Sequence, residues 1–204
     1  MRKARFLVPL TLIVAAPLVL GACGSSDDGG SDDEDQITEV ITTSVTSTDP
    51  ADCTKLETQQ FLEQSNFSTG EEAVKDCEAD ASDTTNDPDS VEVSDIEVDG
   101  DTATANVTVS GGPLDGSTLS VELVKSGDQW QLDKLTDIPT LNAEGFKQAF
   151  VEQLPNESSI PPQIADCITS RVNQATEEQL KQVLLSGTED DLVGLFGDCI
   201  PTGG

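Results

Sequence analysis

The chain has 204 residues, with 39 Asp and Glu against 10 Lys and Arg and a formal net charge of −29. Binding to nucleic acid or to anionic lipid headgroups through a basic patch is excluded, because both need clustered Lys and Arg. The sequence has no His and no Tyr, so the commonest acid–base side chain and the phenol donor of many active sites are missing.

In chain order, Met1 to Arg5 (MRKAR) places three positive charges ahead of an uncharged run from Phe6 to Leu20 that contains Pro9 and Pro17. A basic start before a short apolar run is the pattern of a secretory signal. Spanning a bilayer takes roughly 20 apolar residues, more than this run supplies. Its end, Leu20-Gly21-Ala22-Cys23, resembles the lipobox of bacterial lipoproteins: a large aliphatic residue, two small residues, then the cysteine. The competing reading is an ordinary secretory signal that happens to contain a cysteine. The lipobox resemblance implies that residues 1–22 are removed as a signal peptide. It also implies that Cys23 becomes the acylated first residue, which anchors the chain to the extracytoplasmic face of the cell membrane. One acyl chain binds a bilayer marginally, whereas two or more hold stably. Loss of Arg2, Lys3 and Arg5 leaves seven basic residues against the 39 acidic ones.

Gly24 to Gln36 (GSSDDGGSDDEDQ) holds six acidic residues and no large apolar side chain. With nothing to bury, residues 23–36 are expected to be an acidic, disordered tether with a coil dimension of about 20 Å. Ile37 to Ser47 fits both a strand and a helix, since its β-branched content suggests one and the spacing of Ile37, Val40, Ile41 and Val45 the other. Asp49-Pro50 opens a short helix carrying Cys53 and Leu56. Ser68 with Glu71 and Thr69 with Glu72 predict capping boxes for a helix carrying Cys77. From Val91 the period becomes two. Val91, Val93, Ile96 and Val98 form a strand with a one-residue slip, read as a bulge, and Asp99-Gly100 predicts a hairpin. Ala103 to Val109, Leu119 to Leu123 and Trp130-Gln131-Leu132 supply three more alternating strands. Helices followed by an antiparallel meander predict an α+β fold, with N-terminal helices packed on a curved four-stranded sheet.

That order, with TSTDPADCTKLETQQFLEQ and LVKSGDQWQLDKL, resembles the nuclear-transport-factor-2-like (cystatin-like) superfamily over residues 37–137. The resemblance implies a long first helix at Ile37–Ser47. It further implies a cone of helices and bent sheet whose open end often forms a pocket.

Residues 138–204 have no strand pattern and predict a small all-α segment of four amphipathic helices. Phe146, Ala149, Phe150 and Leu154 share a face in the first, and Ile164, Cys167, Ile168 and Val172 share one in the second. Thr176 with Gln179 makes a capping box for the third, and Thr188 caps the fourth. A core this small is marginal alone, so the segment either relies on a disulfide or packs on the sheet.

Besides Cys23, four cysteines remain, an even number suited to disulfides in an oxidising compartment. Three pairings are open. Cys53 with Cys77 and Cys167 with Cys199 are expected because each pair lies within one segment. Zinc is disfavoured by the absence of His and of Cys-x-x-Cys, and no metal or cofactor is expected. Asp99-Gly100-Asp101 reads as a turn rather than a calcium loop, and Trp130 as a core residue rather than a pocket wall. The ketosteroid isomerases of the resembling superfamily use a tyrosine that this chain lacks. The first reading is therefore a non-catalytic, membrane-anchored envelope lipoprotein that binds a small ligand or a protein partner. A carboxylate-only enzyme in the cone pocket and a structural spacer are the alternatives.

Overall fold

The computed structural model describes residues 29–84, 87–154 and 161–199. Helices α1 (Gly29–Thr46), α2 (Ala51–Leu56), α3 (Gln59–Asn66) and α4 (Glu71–Asp80) precede strands β1 (Ser90–Asp99), β2 (Thr102–Ser110), β3 (Thr118–Ser126) and β4 (Gln129–Thr140). Helices α5 (Ala143–Gln153), α6 (Pro162–Gln174), α7 (Glu177–Ser186) and α8 (Glu189–Phe196) follow. The fold is α+β, with one antiparallel sheet in the order β1-β2-β3-β4.

Helix α1 corrects the expected tether. Residues 24–28 lie outside the described residues, but Gly29 to Gln36 are the first two turns of this helix rather than coil. Asp33 explains why an acidic stretch is held in regular structure. Its Oδ1 accepts from Lys125 Nζ at 2.6 Å and from the indole Nε1 of Trp130 at 3.0 Å. Ile37 and Ile41 follow at four-residue spacing on the same helical face, and both are buried against the sheet. The other side of that core is the alternating set Ala103, Ala105, Val107, Val121, Leu123, Trp130 and Leu132.

The slip in β1 is a register shift between Ser94 and Glu97, with Asp95 at φ 51°. Asn106 Nδ2 donates to Asp95 Oδ2 at 3.0 Å and holds the bulge against β2. Val98 sits opposite buried Ala103, yet it stays exposed because it lies on the edge strand beside the hairpin turn. Further register shifts between β3 and β4 leave Asp133 and Thr136 as extra residues on β4, and such bulges bend a strand.

Strand β4 runs past the expected boundary at residue 137 to Thr140. Ile138 is buried with Leu141, Ala175 and Leu180, so the last turn of the sheet and the C-terminal helices share a core. That segment therefore packs on the sheet and is also cross-linked. Both disulfides form as expected, Cys53–Cys77 with Cα atoms 6.2 Å apart and Cys167–Cys199 with 5.5 Å. Closing loops of this size is worth on the order of 3–4 kcal/mol each in the chain-entropy account.

Caps divide between expected and unexpected. Thr176 and Gln179 form the predicted box, and Thr188 accepts from Asp191 N. Asp49 Oδ1 accepts from Ala51 N at 3.0 Å at the start of α2. The predicted boxes of α4 do not form. Gly70, at φ 62°, caps that helix without a side-chain bond, while the Ser68 hydroxyl donates to Asp76 Oδ2 at 2.8 Å.

A residue with no sequence signal ties the two helical groups together. Gln64 Nε2 donates to the carbonyls of Leu135 (2.9 Å) and Leu185 (2.6 Å), and its Oε1 accepts from Leu135 N at 2.8 Å. At the C-terminus of α7, Gly187 has φ +59°, and a Cβ there would stand 2.4 Å from Gln64 Cα. Gly187→Ala meets both a left-handed backbone and a backbone clash, and a destabilisation of about 2–4 kcal/mol is expected. Urea unfolding of the purified chain measures it. A loss below about 0.5 kcal/mol would show that α7 does not dock on α3 in this way.

Candidate functional site

Cys23 lies outside the described residues, and the four remaining predicted site cysteines are spent on the two disulfides. No helix among the described residues is long and apolar enough to cross a membrane. Among those residues, no group of three or more His, Cys, Asp or Glu is arranged to hold a metal ion.

The inward face of the sheet is occupied. Trp130 is 1% exposed, and Ile37, Ile41 and Leu123 pack against it with essentially no exposure. Open space lies on the outside, where helices meet. One recess is a groove of about 980 Å3 between α3, α4, β4 and the α7–α8 turn. Its polar lining includes Glu63, Glu72, Asp76 and Asp190, with Lys134 as its one basic residue. Lys134 is itself paired with Glu122 at 3.0 Å, so the groove presents net negative charge.

The second feature is Glu57, the residue between α2 and α3. Its backbone is extended and bridges to Leu132 in parallel, and the next amide, Thr58 N, donates to Leu132 O at 2.8 Å. Thr58 then caps α3, accepting from Phe61 N, while its hydroxyl donates to Asp133 Oδ1 at 2.9 Å. These bonds fix the two residues along β4 and hold the Glu57 side chain beneath α1. There Ser44 Oγ donates to its Oε1 at 2.5 Å. Glu57 is 9% exposed, and no cation pairs with it among the described residues. Burial without a counter-charge pushes the carboxyl up to about 7 from its ordinary 4.5, with the Ser44 bond opposing only part of that rise.

Asp52 lines the same cavity and is shifted the other way. The Ser47 hydroxyl, donating to Oδ2 at 2.6 Å, holds it below the usual carboxylate range, with Lys55 adding a smaller effect. Two acidic groups that line one cavity thus differ in how tightly they hold their protons.

Neither Glu57 nor the groove was singled out from the sequence. Glu57 is one acidic residue among 39, and its one local clue is its place directly after buried Leu56 in a segment too short to turn outward. No protein-family model, no curated protein and no solved structure matches the chain.

Because folded Glu57 holds its proton more tightly than the unfolded chain does, its stabilising contribution is complete below about pH 4.5. That contribution is lost as pH rises through about 7. Glu57→Gln, which keeps the shape and stays neutral, is expected to match the wild type near pH 4.5. By about pH 8 it should exceed the wild type by roughly 2–3 kcal/mol. Urea unfolding of both proteins at the two pH values gives the difference, and a constant gap between them would refute a buried, shifted Glu57.

Proposed function

We propose that this chain is a non-catalytic lipoprotein of the cell envelope, anchored through Cys23 at the extracytoplasmic face, whose folded body binds a small ligand or a protein partner. The observation that carries the reading is Leu20-Gly21-Ala22-Cys23 at the end of a basic-then-apolar leader. The cysteine pairing supports it. Cys53–Cys77 and Cys167–Cys199 leave Cys23 as the single remaining thiol, and disulfides suit an oxidising compartment outside the cytoplasm.

We read the helices and bent sheet as the cone of a nuclear-transport-factor-2-like domain. Its interior is filled by Trp130, Ile37 and Ile41, so binding is assigned to the outer groove beside Gln64 and Gly187. The carboxylates of that groove favour a partner with basic groups over an anionic one. A second reading, a carboxylate-only enzyme, is favoured by the opposite shifts of Glu57 and Asp52 within one cavity. It places the chemistry outside the cone rather than within it.

Expression of the full chain in a bacterial host with labelled palmitate tests the anchor. Wild-type protein is expected in the membrane fraction carrying label, and Cys23→Ala is expected to be unlabelled and either released or unprocessed. Label on Cys23→Ala, or none on the wild type, would sink the assignment.

A further inference from the structure

The cavity that holds Glu57 is separate from the large groove and has a different character. Its volume is about 270 Å3, below the roughly 300–1,000 Å3 of sites that take drug-sized ligands. Among the described residues five carboxylates line it, those of Asp49, Asp52, Glu57, Asp80 and Asp87, and no Lys or Arg does. Between them lies an apolar wall of Val45, Phe61, Ala81 and the Cys53–Cys77 disulfide.

Glu57 distinguishes this cavity from a solvated acidic surface. It is nine-tenths buried and borders the cavity, and its Oε1 takes the Ser44 hydroxyl, while Oε2 has neither a hydrogen-bond donor nor a cation among the described residues. Among the described residues no polar side-chain atom is both fully buried and unbonded, so Oε2 keeps some exposure, and Glu57 lines this cavity. A buried carboxylate with one free oxygen, next to an apolar wall, matches a ligand with a charged N–H donor at one end and a hydrocarbon body at the other. An anion is repelled by the lining, and a bare metal ion would need oxygen ligands on the sides that Phe61 and Val45 occupy.

We propose that this cavity binds a primary organic ammonium, with Glu57 Oε2 receiving the N–H donors and Phe61 and Val45 covering the hydrocarbon part. The ammonium comes either from a free small amine or from a lysine side chain of a protein partner. Recognition at this cavity does not involve Cys23, so the site stands or falls independently of the lipid anchor.

Proton and ammonium compete for the same carboxylate. The charged groups around Glu57 are Asp49 before α2, Asp52 on α2 with its partner Lys55 at 3.5 Å, Asp80 on α4, Asp87 before β1 and Asp133 on β4, the last bonded to Thr58. α1 contributes Ser44 and Val45, Ser47 follows it, and α3 contributes Phe61, Ser65 and Asn66, all of them uncharged. Lys55 is paired with Asp52 and the other charged neighbours are acidic, so affinity should rise with pH and level off once Glu57 is ionised, above about 7.

Calorimetric titration of the purified full chain with phenethylamine tests this, with 2-phenylethanol as the uncharged control. Saturable one-site binding of the amine is expected at about pH 8, falling at least about tenfold at about pH 5.5, with none for the alcohol. Glu57→Gln should lose about tenfold or more, and Ala81→Leu, which fills the cavity and leaves the carboxylate in place, should lose as much. Glu92→Gln on exposed β1 should bind as the wild type does. Nα-acetyl-lysine amide distinguishes the sources: saturation at similar affinity assigns the ammonium to a protein side chain, and binding of phenethylamine alone assigns it to a free amine. Undiminished binding by both Glu57→Gln and Ala81→Leu, equal binding of the alcohol, or no saturable amine binding by the wild type would overturn the proposal.

Discussion

The indole N–H of Trp130, buried near the start of edge strand β4, must have an acceptor, and meeting that need fixes where α1 lies. Asp33 supplies the acceptor and is in turn neutralised by Lys125, whose ammonium stands 5.2 Å from the Trp130 ring. Along one face of the helix, Asp33 is followed by Ile37, Ile41 and Ser44, which gives an apolar middle with a polar group at each end. Asp33 fastens the first turns to Trp130, and Ser44 fastens the last turns to Glu57. Removing either polar end would leave a buried partner unsatisfied, which costs more than the bond itself is worth. The Lys125 bond, with that of Trp130 second, also holds the Asp33 carboxyl below its ordinary range.

The same logic accounts for the outward placement of the recesses. With Trp130 and the two isoleucines filling the face of the sheet that α1 covers, the two acidic recesses lie where short helices meet. Strand β4 supports both. Leu132 anchors the α2–α3 junction that carries Glu57, and Leu135 anchors Gln64 and through it the α7 terminus. The two acidic recesses thus share one support: residues of each are hydrogen-bonded to the same strand.

Alternation and turn chemistry made the strands legible, because apolar residues two apart leave little choice of face. The bulge in β1 was visible as a one-residue slip, and the box at Thr176 needed only local spacing. What escaped was set by distant partners. Gly29 to Gln36 looks unstructured because its composition buries nothing, and its helical state depends on Lys125 and Trp130, some ninety residues away. The α4 boxes were misread because Ser68 found Asp76, eight residues on, in place of the local amide. Glu57 and Gln64 carry no local mark at all, since their roles come from where β4 runs.

Both disulfides join cysteines that are neighbours in the chain, and neither straddles the sheet. During synthesis from the N-terminus, Cys53 and Cys77 both emerge about 90 residues before Cys167. At roughly 5–20 residues per second, the first pair therefore has several seconds in which no competing thiol downstream of it exists. Once that bond is closed, Cys167 and Cys199 lie far nearer each other in the chain than either lies to Cys23. Pairing in chain order therefore favours the native connectivity at each step.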